Sequence, residues 1–373
     1  MEILKNIIII QNNNIMIKNL LKVALLGIFS FVLLSCEKDN RTNVLPENMA
    51  IIINQGNFSE HNGSLSVYDE TNNTITNRAY EAANGSSIGA SIMSGWVSDS
   101  KKAYIVCNNP DKIIVLDAKT IKLVGTPLTS NLANPRAVCG NQNYIFVSNW
   151  DVDHITNEFG MWEYTKSYIS VYDAQTMGFL KKVLVGTDAE GILLKDNKLF
   201  VATKEGVKVL DITKSDLPTL ATIRHQDAPG AAKNLAVDAY GKVWASFPQK
   251  GLVEINPVNL TATAVVTVPV DGMDGYICAD GTGERILSYN TTYNAQWQPE
   301  VAKIHAVTVS TKDVKVLYSG TYFYGVGASP NTNNIYTAEV SFSSNSILKV
   351  LNPDGSLKKS ETAGVGTSRY LFF

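Results

Sequence analysis

A short strand ending in Asp or Asn recurs along this chain, and that repeat limits the fold more than any other feature. The clear copies are Leu65-Ser-Val-Tyr-Asp69, Ile113-Ile-Val-Leu-Asp117, Ile169-Ser-Val-Tyr-Asp173, Val207-Lys-Val-Leu-Asp211, Leu252-Val-Glu-Ile-Asn256 and Leu348-Lys-Val-Leu-Asn352, with a degenerate copy at His305-Ala-Val-Thr-Val309. The terminal Asp or Asn has a local reason. Its side chain accepts backbone N–H bonds about two residues further on and so closes the turn into the next strand. Successive copies lie 38 to 56 residues apart, a period that suits four-stranded propeller blades.

Each unit also opens alike, with a small apolar strand, a tight turn and a second strand. Examples are Ala137-Val-Cys-Gly-Asn-Gln-Asn-Tyr-Ile-Phe-Val147 and Leu235-Ala-Val-Asp-Ala-Tyr-Gly-Lys-Val-Trp-Ala245. The expected fold is therefore all-β, a seven-bladed β-propeller over residues 49–373 with no convincing helical stretch. The first unit lacks its opening strand, and residues 368–373 form a strand with no partner in sequence. Ring closure resolves both, with the C-terminal strand as the innermost strand of the first blade, which leaves no exposed closing edge. A pair of β-sandwiches is the rival architecture, but it gives no reason for a sevenfold repeat.

Hydrophobic residues make up 45% and charged residues 18% of the 373 residues, enough apolar mass for a large core and too much for disorder. The net charge of −2 and the absence of a Lys/Arg cluster argue against nucleic acid as a partner. At the N-terminus, Met16-Ile-Lys-Asn-Leu-Leu-Lys22 forms a short basic region, followed by an apolar run over residues 23–34 and then Ser35-Cys36. That pattern reads as a signal peptide over residues 1–35, and the run is shorter than the roughly 20 residues a membrane-spanning helix needs. Residues 1–15 are rich in Asn and Ile and fit no export pattern, which points to Met16 as the true start. Leu33-Leu34-Ser35-Cys36 resembles a bacterial lipobox, in which Cys36 is lipidated after cleavage. Residues 36–48 are polar and aperiodic and read as a lipidated flexible tether. Removal of residues 1–35 takes away Lys5, Lys18, Lys22 and Glu2, so the mature charge becomes −4.

Cys107, Cys139 and Cys278 remain, an odd number set in apolar strand contexts. Buried, unreactive thiols are expected. Without a CxxC or a paired His spacing, zinc is not.

In a four-stranded blade counted A to D from the axis, the B–C and D–A connections share one face. The B–C connections at 54–63, 149–167, 289–301 and 339–345 are the long ones, and long irregular loops are commonly functional. Their composition is aromatic: Trp150, His154, Trp162 and Tyr164 in the third blade, Tyr289, Tyr293 and Trp297 in the sixth, Phe342 in the seventh, and Tyr322, Phe323 and Tyr324 just before it. Rigid rings supply contact area for planar or partly apolar ligands at low entropic cost. The alternative reading is that these rings pack on one another and order the loops.

Other chemistry is weakly signalled. Asp151, Asp153, Asn157 and Glu158 are oxygen donors for calcium in type, yet their spacing does not match an EF-hand, and a solvated acidic loop is the simpler reading. His154 is the one histidine placed to serve as an axial ligand to a bound metal complex. Asp188 and Glu190 lie near the expected axis as candidate acids. GxSxG, HExxH and phosphate-loop motifs are absent, so neither catalysis nor a resident metal or cofactor is expected.

The repeated Val-Tyr-Asp and Val-Leu-Asp strand ends, with second strands such as Asn143-Tyr-Ile-Phe-Val-Ser-Asn149, resemble the YncE-like, YVTN-type propellers over roughly residues 50–373. Together with the lipobox and the polar start after Cys36, the chain is similar to the surface lipoproteins of the DUF5074 group. Lys38-Asp39 matches, in part, the surface-export signal of such lipoproteins. The resemblance implies a lipid-anchored protein of the outer membrane, facing the cell exterior. It also implies a role like that of the BtuG type, which captures cobalamin and passes it to a TonB-dependent outer-membrane transporter. On this reading cobalamin is a ligand and not a cofactor. Alternatives are capture of haem, a glycan or a peptide, a propeller enzyme of the lactonase or lyase type, and an adhesion or structural surface protein. Fold alone does not decide among them.

Overall fold

The computed structural model describes residue 45, residues 48–225 and residues 230–373. The signal segment, Cys36 and most of the expected tether lie outside the described residues. Leu45, within that tether, is hydrogen-bonded through its backbone N–H to Lys119 O (2.7 Å) and packs on the core of the first two blades.

Among the described residues, seven antiparallel sheets form the blades, and six of them have four strands. The third blade is representative: Pro135–Gly140 innermost, then Tyr144–Asn149, Ser167–Asp173 and Phe179–Gly186 at the outer edge. The second blade has three regular strands, Ser91–Val97, Lys102–Asn108 and Lys112–Asp117. Its outer edge is completed only by the isolated bridges Ile113 to Leu128 and Leu116 to Leu123.

The repeated Asp and Asn residues behave as their chemistry requires. Asp69 Oδ1 accepts the N–H groups of Thr71 (2.8 Å) and Asn72 (3.0 Å), Asp173 Oδ1 those of Gln175 and Thr176, and Asn256 Oδ1 that of Val258. Each closes a C–D turn. Hydrogen bonding to the charged form offsets burial, and the Asp69 carboxyl is held below its ordinary value.

Ring closure runs through the first blade. Thr367–Phe372 pairs with Met49–Asn54 in antiparallel register, Ile52 opposite Tyr370. Asn54, wholly buried, fastens the closure: its Oδ1 accepts from Thr367 Oγ1 (2.7 Å) and Gly364 N (3.1 Å), and its Nδ2 donates to Ser66 Oγ (2.9 Å). A second clasp joins the first and seventh blades. The buried Glu70 accepts from Ser329 Oγ, Thr332 Oγ1 and Tyr336 OH at 2.6 to 2.7 Å.

Met49–Asn54 is buried at every position, which a sheet with one wet face would not allow. The reason is that each blade is covered on both faces. Ile51 and Ile53 pack toward the second blade with Ile92 and Ile105, whereas Ala50 and Ile52 pack toward the seventh with Tyr336 and Leu348. Outer strands are more exposed instead, and Leu357–Thr362 with its two lysines has the composition that blunts a free edge.

Two differences from expectation concern local structure. Among the described residues a short helix, Ala79–Asn84, lies between the first and second blades, where an alanine-rich segment has the propensity for a turn and a half. In the sixth blade, the expected loop at 289–301 is mostly strand. Arg285–Tyr293 and Pro299–Thr308 pair as far as Tyr293 opposite Pro299 and extend the sheet as a hairpin.

Candidate functional site

The long B–C loops carry two groups of aromatic rings. In the third blade, Ile155–Thr156 and Trp162–Glu163 pair as a small hairpin, its turn closed by Asn157 Oδ1 accepting from Phe159 N (3.0 Å) and Met161 N (2.9 Å). Trp150 stacks on Tyr164 with ring centroids 4.8 Å apart. His154 lies 5.6 Å from Tyr164 and 4.4 Å from Trp162. Tyr164 is buried and Trp162 is 63% exposed, so the stack leads from interior to surface. Phe159 and Met161 extend the exposed apolar surface of the same hairpin.

The second group spans the sixth and seventh blades. Tyr322 lies 6.4 Å from Tyr293 and 6.5 Å from Phe342, and Phe342 meets Tyr324 edge-on at 5.2 Å. Trp297, at the tip of the blade-6 hairpin, is 83% exposed and makes no ring contact among the described residues. Two of the rings singled out by sequence point elsewhere. Phe323 is fully buried and stacked on Tyr318 (5.9 Å), and Tyr289 is fully buried with its hydroxyl donating to Asp274 Oδ1 (2.7 Å). Phe323 lies in the irregular segment between the strands that end at Gly320 and begin at Gly327, and Tyr289 ends a run of four consecutive buried residues, Ile286 to Tyr289, in a strand covered on both faces.

The acidic residues of the third-blade loop do not converge. Asp151 pairs with Lys182 (3.4 Å), Asp153 with Lys166 (3.1 Å), and Asn157 is used in its turn. Among the described residues, no group of three or more His, Cys, Asp or Glu is arranged to hold a metal ion.

Between the two aromatic groups lies an axial cavity of about 370 Å³. Its walls are the innermost strands and the residues that lead into them. At the far end they are apolar, with Val138, Leu194 and Val237. At the loop end they are charged: Arg136, Glu190, Lys233, Asp274 and Arg369, with Tyr276 and Tyr324. Crowding at the axis explains the glycine after Tyr324, since a Cβ on Gly325 would lie 1.8 Å from Ser368 O.

The charges form two sets. Glu190 bridges Arg136 Nε (2.9 Å) and Lys233 Nζ (3.1 Å). Arg369 Nη2 donates to Asp274 Oδ2 (2.5 Å), and its guanidinium lies 4.1 Å over the Tyr276 ring. Burial alone would raise the Asp274 carboxyl, but Arg369 and the Tyr289 hydroxyl outweigh it and hold the group below the ordinary value. Burial pushes the Tyr276 and Tyr324 hydroxyls up to about 12, so both stay protonated. Asp188, raised by burial, accepts from Tyr164 N (2.8 Å) and buttresses the third-blade stack. The funnel touches both aromatic groups: Arg136 lies 4.0 Å over the Trp150 ring, and Tyr324 meets Phe342.

Sequence reasoning found the rings and, of the funnel wall, only Glu190, named with Asp188 as a candidate acid near the axis. A signal was available, since Arg136, Glu190, Lys233, Tyr324 and Arg369 all stand just before or at the start of an innermost strand. Aligning the repeats on that strand brings them into one column.

Fold and site together define a seven-bladed propeller with a charged axial funnel opening between aromatic loops. The chain belongs to the DUF5074 family, described as a domain of unknown function, which matches residues 49–352. None of the curated proteins matches the sequence. Among solved structures, a functionally unknown protein from Desulfotomaculum acetoxidans is similar with a TM-score of 0.61 at 12% identity, covering 87% of this chain and 98% of that one. Apo AztD from Citrobacter koseri is similar with a TM-score of 0.57 at 10% identity, covering 87% and 96%. Hydrazine synthase of Kuenenia stuttgartiensis is similar with a TM-score of 0.59 at 14% identity, covering 74% and 87%. At such identities the likeness is one of fold alone.

Proposed function

We propose that this protein is a surface lipoprotein, anchored in the outer membrane through Cys36, that captures a corrinoid such as cobalamin on its B–C loop face and delivers it to a TonB-dependent transporter. The observation that carries the reading is the grouping of Trp162, Tyr293, Trp297, Tyr322 and Phe342 on one face, on either side of the funnel mouth. A corrinoid presents an apolar macrocycle edged with amides, which suits exposed rings around a polar centre. The macrocycle exceeds a cavity of about 370 Å³ and would therefore lie across the mouth. Glu190 and Asp274, the two carboxylates that line the cavity, are both held in ion pairs, which suits the positioning of cations better than proton transfer and favours binding over an enzyme of lactonase or lyase type.

Calorimetric titration with cyanocobalamin and with cobinamide tests the reading. Saturable binding is expected, at least 100-fold weaker when Trp162 and Trp297 are both replaced by Ala. Absence of binding with either corrinoid would overturn it. Trp150 is a poor choice for this test, because it is stacked on Tyr164 and Arg136 and its loss would disorder the loop itself.

A further inference from the structure

The funnel contains hydrogen-bond donors that the protein does not use. Arg136 donates through Nε to Glu190 and rests its guanidinium plane on Trp150, while neither Nη atom meets an acceptor among the described residues. The side chain is only 16% exposed and lines the cavity, so these two groups face the funnel. Lys233, 19% exposed, makes a single hydrogen bond, to Glu190, with three protons to give.

The charge balance points the same way. Arg369 and Asp274 close on each other as one pair. Arg136 and Lys233 share the single carboxylate of Glu190, which leaves the cavity wall with one positive charge in excess. Asp188 and Asp271 lie nearby but outside that wall, each with an oxygen committed to backbone N–H groups: Asp188 to Tyr164, Asp271 to Met273. Asp188 acts on Lys233 through space, so the excess is balanced only in part; a partly buried cation with an incomplete counter-charge is costly, and an anion placed on Arg136 recovers that cost. The terminal groups of a guanidinium form a fork that matches the two oxygens of a carboxylate or phosphate.

We propose that the axial funnel is a second binding site, taking a small anionic group, carboxylate or phosphate, held in bidentate fashion by Arg136 with Lys233 beside it. The inference goes beyond corrinoid capture and does not rest on it. The cavity admits a small free acid or the anionic arm of a larger molecule seated on the rim, and the recognition chemistry is the same for both.

The test is calorimetric titration of the purified protein at low ionic strength with inorganic phosphate and, separately, with acetate. One saturable site is expected for at least one of the two, and the stronger binder names the class. Arg136→Met should weaken that binding at least tenfold. Because the same change also removes a contact of Trp150, Glu190→Gln supplies an independent arm: removing the competing carboxylate should tighten anion binding several-fold, a gain that structural damage would not produce. No saturation with either anion at 10 mM, unchanged affinity in Arg136→Met, or weaker binding in Glu190→Gln would each overturn the proposal. Corrinoid titrations enter neither result, so the two readings stand or fall separately.

Discussion

Arg369 Nη2 lies 2.5 Å from Asp274 Oδ2, joining the strand that closes the ring to the segment leading into the sixth blade and passing over the seventh. Both side chains are largely buried, and the Asp274 carboxylate is held by Arg369 and Tyr289 together. Breaking such a pair by removing one partner leaves a buried charge uncompensated, at a cost of about 3–5 kcal/mol. Arg369→Met should therefore lower stability by that order in urea unfolding. Adding Asp274→Asn should restore part of the loss. A single variant as stable as the wild type would show that the pair does not hold the funnel together.

Ring closure rests on Thr367–Phe372, which supplies the innermost strand of the first blade. Truncation after Gly366 exposes the edge of Met49–Asn54 and removes the Thr367 hydroxyl that donates to the buried Asn54 Oδ1. The expected outcome is loss of a cooperative thermal transition, read by circular dichroism, with aggregation through the open edge. A truncated chain that keeps the wild-type transition would contradict the closure.

Phe323 and Phe342 are nearby aromatic residues with opposite roles. Phe323→Ala empties a fully buried site against Tyr318 and should cost about 3–5 kcal/mol. Phe342 is half-buried between Tyr322 and Tyr324, so Phe342→Ala should cost clearly less stability while weakening ligand capture. Chemical denaturation of the two variants side by side checks the order, and equal losses would contradict it.

His305 is buried with Nε2 2.9 Å from Asn290 Oδ1, and burial, then Lys303, hold its pKa below the ordinary value of 6.5. A depressed folded pKa favours the neutral ring in the fold. Its contribution is thus complete above the unfolded value and is lost as pH falls through the folded one. Melting temperatures of wild type and His305→Gln, measured from about pH 8 down to about pH 5, should converge as the pH drops. A difference that stays constant or widens toward acid would contradict the assignment.

The architecture was legible because its signals are local. An Asp at the end of a strand caps its own turn, and the same event repeated around the ring writes its period into the chain, as Asp69, Asp173 and Asn256 show. The closing strand could be inferred because the first blade lacked a partner that residues 368–373 could supply. The aromatic loops were legible as composition, but not the direction of each ring. Phe323 turns inward between Tyr322 and Tyr324, and Tyr289 sits in a strand where a loop was expected. Of the funnel wall only Glu190 was legible, as an acid near the axis, and its partners were hidden for a different reason. Arg136 and Glu190 are 54 residues apart, and Asp274 and Arg369 are 95 apart. Only the circular arrangement of the blades brings them to one axis.

The central claim is that one face of the propeller captures the ligand, and hydrogen–deuterium exchange with and without excess cyanocobalamin tests it most directly. Protection is expected in residues 150–166, 289–301 and 339–345, with the turns at 141–143 and 174–178 on the opposite face unchanged. Protection confined to those opposite turns, or none in any of the three loop segments, would contradict the account.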